Sequence, residues 1–308
     1  MSEILEVKKA NDKTNKKKMK KIHKTLVITA IFAICGLFIF STSYKNNVDY
    51  PLDMDFCGEK VPTNLADVKE RLDREMLVNI NMNASTAILI KRANKVFPII
   101  EPILVKYGIP DDFKYLAVIE SGLINAISPS GAKGVWQFMP ATAKESKLEV
   151  TEQVDERYHI EKSTEAACEY LLKAKNKFGN WTVAAASYNG GMTGLQNHIT
   201  FQQTSDYYNL WLTDETARYV FRILALKEIM KNPEKYGYLI PKEALYPRIN
   251  TKRITVDSTI TNLSTFAISQ GINYKILKTH NQWLRDKKLE NPSKKVYEIE
   301  IPTEGYNK

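Results

Sequence analysis

The sequence predicts a mainly α-helical protein that ends in a small β-α-α-β module. Three observations predict it. Between residues 85 and 240, apolar residues recur at helical spacing and no segment alternates in the manner of a half-buried strand. The breaks between these periodic segments carry helix punctuation: Gly108, Pro110, Pro140, Gly179 and the run Asn189-Gly190-Gly191. After Pro241 the character changes, and two β-prone segments, 252–256 and 296–301, bracket two short helical ones.

The elements follow in chain order. Residues 1–24 form a basic tail, with nine lysines against Glu3, Glu6 and Asp12, which accounts for six of the nine net positive charges. The rest of the chain is therefore close to neutral, and the high isoelectric point gives no reason to expect a nucleic-acid partner. Residues 25–44 carry no charge, and twenty helical residues just span a bilayer. The lysines before them favour a cytoplasmic tail and an exported remainder. Two versions stay open: a transmembrane signal anchor, or a cleaved signal peptide with Ser41 and Ser43 at −3 and −1 of a cut before Tyr44. Cys35, preceded by Ile34, does not suit a lipoprotein site.

Residues 45–84 read as a linker holding a short amphipathic helix near 63–76. A longer helix runs through Ile88, Ile90, Ala93, Phe97, Ile100 and Leu104, with a bend expected at Pro98 or Pro102. The next starts at Pro110, where Asp111 and Asp112 complement the helix dipole. A loop of small residues covers 122–139, and Pro140 opens another helix. Ser163 is the expected N-cap of a helix closed by Gly179. A helix follows over 181–188, and one capped by Thr213 or Asp214 runs to Met230. Residues 241–250 link to the module, placed at 251–302. Cys57 and Cys168 would be able to pair in an oxidising compartment, although Cys168 also suits a small core position. The four histidines are scattered and no His/Cys spacing suits a metal, so neither metal nor cofactor is expected.

Chemistry concentrates at Glu120. It shares a helix face with Phe113, Leu116 and Ala117, so the sequence aims one carboxyl at an apolar setting. Desolvation disfavours the charged form, and a carboxylic acid that keeps its proton near neutral pH is what a general acid needs. On position alone this is weak, because a glutamate near a helix end is more often solvated or ion-paired.

Four segments in order strengthen it: Glu120-Ser121; Gly131-Ala132-Lys133-Gly134-Val135-Trp136-Gln137-Phe138-Met139-Pro140; Ala186-Ser187-Tyr188-Asn189-Gly190-Gly191; and Glu215-Thr216-Ala217-Arg218-Tyr219-Val220. Together they resemble the lysozyme-like lytic transglycosylases of the soluble and membrane-bound D type, over about 85–240. Ser187 stands where that family more often has Ala. The resemblance implies a lysozyme-like helical catalytic domain that cuts peptidoglycan glycan strands. It implies Glu120 as acid and then base, with Ser121, Trp136, Gln137, Met139, Tyr188, Asn189 and Tyr219 around the reacting sugar. The sugar's own C6 hydroxyl would be the nucleophile and the product a 1,6-anhydro end. Blander roles stand beside these: Trp136, Tyr188 and Tyr219 also suit core positions, Asn189 a helix C-cap, and Glu215 an N-terminal helix charge.

The C-terminal module resembles a degenerate LysM repeat, with Asn281 after its second helix and Val256-Asp257-Ser258-Thr259-Ile260 in place of the usual Gly-Asp-Thr-Leu. With the export signal, the resemblance implies a cell-envelope enzyme, anchored in the inner membrane with its catalytic domain in the periplasm, or periplasmic or secreted if the signal is cleaved. The alternatives are a lysozyme-type muramidase on the same fold and a catalytically silent wall-binding protein. Protein partners are not legible.

Overall fold

A computed structural model describes residues 19, 23–25 and 48–306. The basic tail and the apolar segment at 25–44 lie almost wholly outside the described residues. Among the described residues, no helix is long and apolar enough to cross a membrane.

The chain opens with a hairpin, β1 Asp55–Phe56 and β2 Glu59–Lys60, followed by α1 Ala66–Asn81 and α2 Asn83–Lys106. A 3₁₀ turn at Asp111–Phe113 leads into α3 Lys114–Ser121, so the expected helix begins as 3₁₀ rather than α. Then come α4 Pro140–Glu145, α5 Ile160–Phe178, α6 Trp181–Gly190, α7 Met192–Gln202 and α8 Asp214–Lys231. The module holds β3 Thr251–Val256, α9 Leu263–Ser269, α10 Tyr274–His280 and β4 Tyr297–Pro302. Its strands pair antiparallel from Thr251–Pro302 to Val256–Tyr297. The protein is mostly helical with a small strand-containing module at its end. Between 85 and 240 the β structure amounts to isolated bridges among the described residues.

Several boundaries differ from expectation. Helix α2 passes through both Pro98 and Pro102. Helix α5 starts three residues before Ser163, whose hydroxyl is spent on the His159 and Ile160 carbonyls instead of on a cap. Helix α7 was not expected: only Leu195 of its residues is buried, so it lacks the apolar face that periodicity detects. Of the segment read as a linker at 45–84, the described part from Val48 onward is built into the core. Phe56 and Val61 are fully buried in the same cluster as α3, α6 and α8, and α1 packs along α8. Polar contacts lock that packing, with Arg71 donating to the Ala217 carbonyl at 2.6 Å and Arg218 to Glu75 at 2.6 Å. Both described cysteines are free; Cys168 is buried and its thiol is pushed up to about 12 by desolvation.

Asp112 differs most in role. Expected to complement the helix dipole, it is also buried, accepts from the Cys57 amide at 2.7 Å and pairs with Lys227 at 2.6 Å. It therefore ties the first hairpin and α8 to the helix that carries Glu120.

The module has its own core of Val256, Leu263, Ala267, Leu277, Leu289, Ile299 and Ile301. Asn281 is fully buried and cross-links it: the amide donates to the Leu277 and Glu300 carbonyls and accepts from the Glu300 amide at 2.8 Å. Val154 and Tyr158, from the segment before α5, belong to this same core.

Candidate active site

The apolar stretch of α3 buries Leu116 and Ala117 completely and leaves Glu120, at its last turn, partly buried. Gly122 ends the helix in the left-handed region at φ 62° and donates its amide to the Val118 carbonyl. Its carbonyl accepts from Arg92 at 3.0 Å. Ser121 does not face outward. Its hydroxyl donates to the Ala117 carbonyl and accepts from the Leu123 amide, both at 3.1 Å, so it holds the turn that follows Glu120.

The Glu120 carboxyl accepts a short hydrogen bond from the Tyr219 hydroxyl. Burial raises the Glu120 pKa above its ordinary value. The Tyr219 bond and the Arg222 charge oppose that rise, and the Glu215 charge adds to it. Tyr219 is almost fully buried on α8, and its own hydroxyl is raised by burial and by the Glu120 charge. Glu215, Tyr219 and Arg222 lie four and then three residues apart, so they share one face of α8. Arg222 also donates to the Ile119 carbonyl at 3.1 Å, which fixes it beside the end of α3. A cavity of about 400 Å³ lies next to this site, with Glu75, Ile119, Glu215, Arg218 and Arg222 in its wall; Glu120 and Tyr219 do not line it.

Helix α6 brings Tyr188 and Asn189. Asn180 caps its N-terminus by accepting from Val183 at 2.7 Å. Glu59 adds a carboxylate there, accepting from the Trp181 amide at 2.6 Å and the Thr182 amide at 2.9 Å. The first hairpin thus anchors the helix that delivers two site residues. The Tyr188 hydroxyl donates to the Trp136 carbonyl at 2.9 Å, and Tyr188 feels the Glu120 charge. Asn189 donates to Glu215 at 2.9 Å and accepts from Thr216 at 2.7 Å, so it is pinned to the start of α8.

The glycine-rich loop closes on itself. Lys133 and Phe138 exchange backbone hydrogen bonds at 3.1 Å, and the Gly134 amide donates to the Ala126 carbonyl at 3.0 Å. Gly134 is required by contact: it sits at φ 85°, and an added Cβ would lie 1.8 Å from the Arg157 carbonyl oxygen. Gln137, itself at φ 51°, donates its side-chain amide to the Gly134 carbonyl at 2.8 Å and the Ala126 carbonyl at 3.1 Å. Met139 is exposed at the loop's end, as the N-cap of α4.

The structure thus brings Glu120, Tyr188 and Tyr219 together, with Asn189 secured beside them. Trp136 is a correction. It was placed around the sugar with a core role as the alternative, and the core role is what it has: it is fully buried and its indole N–H donates to Thr164 at 2.8 Å. Its ring is core, and what it offers the site is the carbonyl that holds Tyr188. Sequence reasoning missed Glu215 as a tuning charge and Arg222 altogether. The signal was present in their spacing from Tyr219, but charges at helix positions read by default as solvated.

With the geometry in place, comparison with known proteins is direct. A model of the transglycosylase SLT domain matches residues 99–211. The chain carries an SLT domain. Residues 252–305 match the soluble lytic transglycosylase C-terminal LysM-like domain. The membrane-bound lytic murein transglycosylase D of Escherichia coli K12 is 29% identical over 190 residues, covering 60% of this chain and 41% of that protein. The protein of that name from strain CFT073 aligns equally well. A putative tributyltin chloride resistance protein of Alteromonas is 33% identical over 88 residues, covering 28% of this chain and 42% of that protein. The chain thus spans about two fifths of the length of the curated relatives it matches.

Proposed function

We propose that the protein is an exported lytic transglycosylase of peptidoglycan. It cleaves the bond between N-acetylmuramic acid and N-acetylglucosamine and leaves a 1,6-anhydro end. The observation that carries this reading is Glu120: a carboxyl at the end of an apolar helix, raised by burial and hydrogen-bonded by Tyr219. In its protonated form Glu120 gives its proton to the leaving glycosidic oxygen. As carboxylate it then takes the proton of the sugar's C6 hydroxyl, which attacks the anomeric carbon. That nucleophile is already tethered, so its effective concentration is high and no second carboxylate is needed to activate water. Tyr219 stabilises the carboxylate between the two steps. Ser121 holds the turn, and Tyr188, Asn189, Gln137 and Met139 shape the cleft around the sugar. The SLT domain and the printed name of the Escherichia coli relatives support the substrate class. The uncharged run at 25–44 behind a lysine-rich tail supports an envelope location, through an anchor or a cleaved signal.

A muramidase reading has one observation in its favour. Glu215 lies close enough to raise Glu120, so a second carboxylate borders the cleft. It is, however, exposed and bound to Asn189, and it lacks the burial that marks Glu120. A silent wall-binding role would leave the raised acid of Glu120 without a purpose. Glu120→Gln keeps the shape and removes the proton donor. It is expected to lower release of soluble fragments from purified sacculi by at least about a hundredfold. Release at the native rate would sink the proposal.

A further inference from the structure

We propose that the C-terminal LysM-like module is part of the construction of the substrate site, and that Arg157 is the positioning residue that transmits its hold to the glycine-rich loop. The inference rests on the transglycosylase reading for its effect on rate, but not for its structural half.

The connection is continuous. On the module side, the Trp283 carbonyl accepts from the Asp155 amide at 2.9 Å, and the Arg285 amide donates to the Gln153 carbonyl at 2.7 Å. Leu284, fully buried, bridges to Val154 in the shared core. Asp155, held this way, grips Arg157 with both carboxylate oxygens, at 2.8 Å to Nε and 2.8 Å to Nη2. Both side chains are about 97% buried, so the pair is rigid and its remaining donors are committed. Arg157 Nη1 donates to the Gly131 and Phe138 carbonyls, each at 3.3 Å, one on either side of Gln137. The Arg157 carbonyl packs against Gly134, where no Cβ would fit. A second thread runs in parallel. Asn125 donates to Gln282 of the module at 3.1 Å and to the Tyr158 carbonyl at 3.1 Å. The next carbonyl, Ala126, accepts from Gly134 and Gln137.

A module that only tethered the enzyme to its wall would need a flexible joint and no bonds into the catalytic loop. Here the loop presenting Gln137 has its backbone carbonyls fixed by a guanidinium whose carboxylate partner is fixed by the module. The module therefore contributes to turnover as well as to attachment.

The test uses full-length variants: Arg157→Lys, which keeps the charge but loses the fork; Leu284→Ala, which loosens the seam from the module side; and Lys288→Ala, an exposed control. Amide hydrogen exchange of peptides covering 131–139 is measured with melting temperature, sacculus pelleting and initial rates. For Arg157→Lys and Leu284→Ala, exchange in 131–139 is expected to accelerate by about tenfold or more while α6 stays protected. The rate is expected to fall roughly tenfold to a hundredfold through kcat, with KM and pelleting little changed. Lys288→Ala changes none of these. Unchanged exchange in 131–139 for both seam variants overturns the proposal, whatever their stability. A loosened loop with unchanged kcat also overturns it. A wild-type protein that releases nothing from sacculi counts against the transglycosylase reading, and the exchange data still decide whether the module holds the loop.

Discussion

In the proposed mechanism Glu120 is the residue on which the chemistry turns, and its environment makes a signed prediction. The general acid works only while protonated, so the rate falls as pH rises through the Glu120 pKa, which burial holds above the ordinary glutamate value. The Tyr219 bond favours the charged form and lowers that pKa; removing it raises the pKa. Tyr219→Phe is therefore expected to move the alkaline limb of kcat/KM to higher pH, even as it slows the reaction. Glu215 raises the pKa, so Glu215→Gln moves the limb to lower pH. Profiles of the two variants that shift in the same direction contradict this assignment of charges. At this scale the sequence was informative about Glu120 because four motifs in order framed an acid that its position alone left weak. It left Trp136 open between sugar and core, because the Thr164 hydroxyl that takes its indole N–H lies in α5, 28 residues away. It was blind to Arg222, whose contact with the Ile119 carbonyl joins residues 103 apart.

Among the elements, α3 carries Glu120, α8 carries Glu215, Tyr219 and Arg222, and α6 carries Tyr188 and Asn189; the last two helices depend on a hairpin that the sequence hid. Polar composition with Pro51, Gly58 and Pro62 resembles a linker, yet Glu59 from this stretch satisfies orphan amides at the start of α6. Glu59→Ala removes a buried-end cap and a dipole-complementing charge. It is expected to cost about 1–2 kcal/mol in denaturant unfolding. A change below about 0.3 kcal/mol would mean that Asn180 suffices alone. The strongly periodic helices were legible because burial of one face imposes their spacing. Helix α7 was not, since it buries almost nothing. The start of α5 was misplaced because Ser163 looks like a cap but bonds back to the preceding turn.

For the whole molecule, the decisive feature is that two hydrophobic cores share the segment before α5, with Val154 and Tyr158 packed into the module. Ionic contacts reinforce the seam: Lys295 reaches Glu156 at 3.2 Å, and the Tyr297 hydroxyl donates to Glu149 at 3.0 Å. The SLT domain and the module are therefore expected to unfold in one cooperative thermal transition, with calorimetric and van't Hoff enthalpies in agreement. Two resolved transitions would show the module to be independent. The β-α-α-β order was readable from alternation at 296–301, but the seam was not. It is made by an aperiodic segment against residues more than a hundred positions away, a relation that local pattern does not encode. The most direct measurement concerns the product. Purified protein is incubated with sacculi and the soluble fragments are weighed by mass spectrometry. A 1,6-anhydro end leaves each fragment lighter by one water than a hydrolysed one, and that is the result expected of a single acid working with the sugar's own hydroxyl. Fragments carrying a free reducing end throughout would assign the site to a hydrolase, with water and not the C6 hydroxyl as the nucleophile.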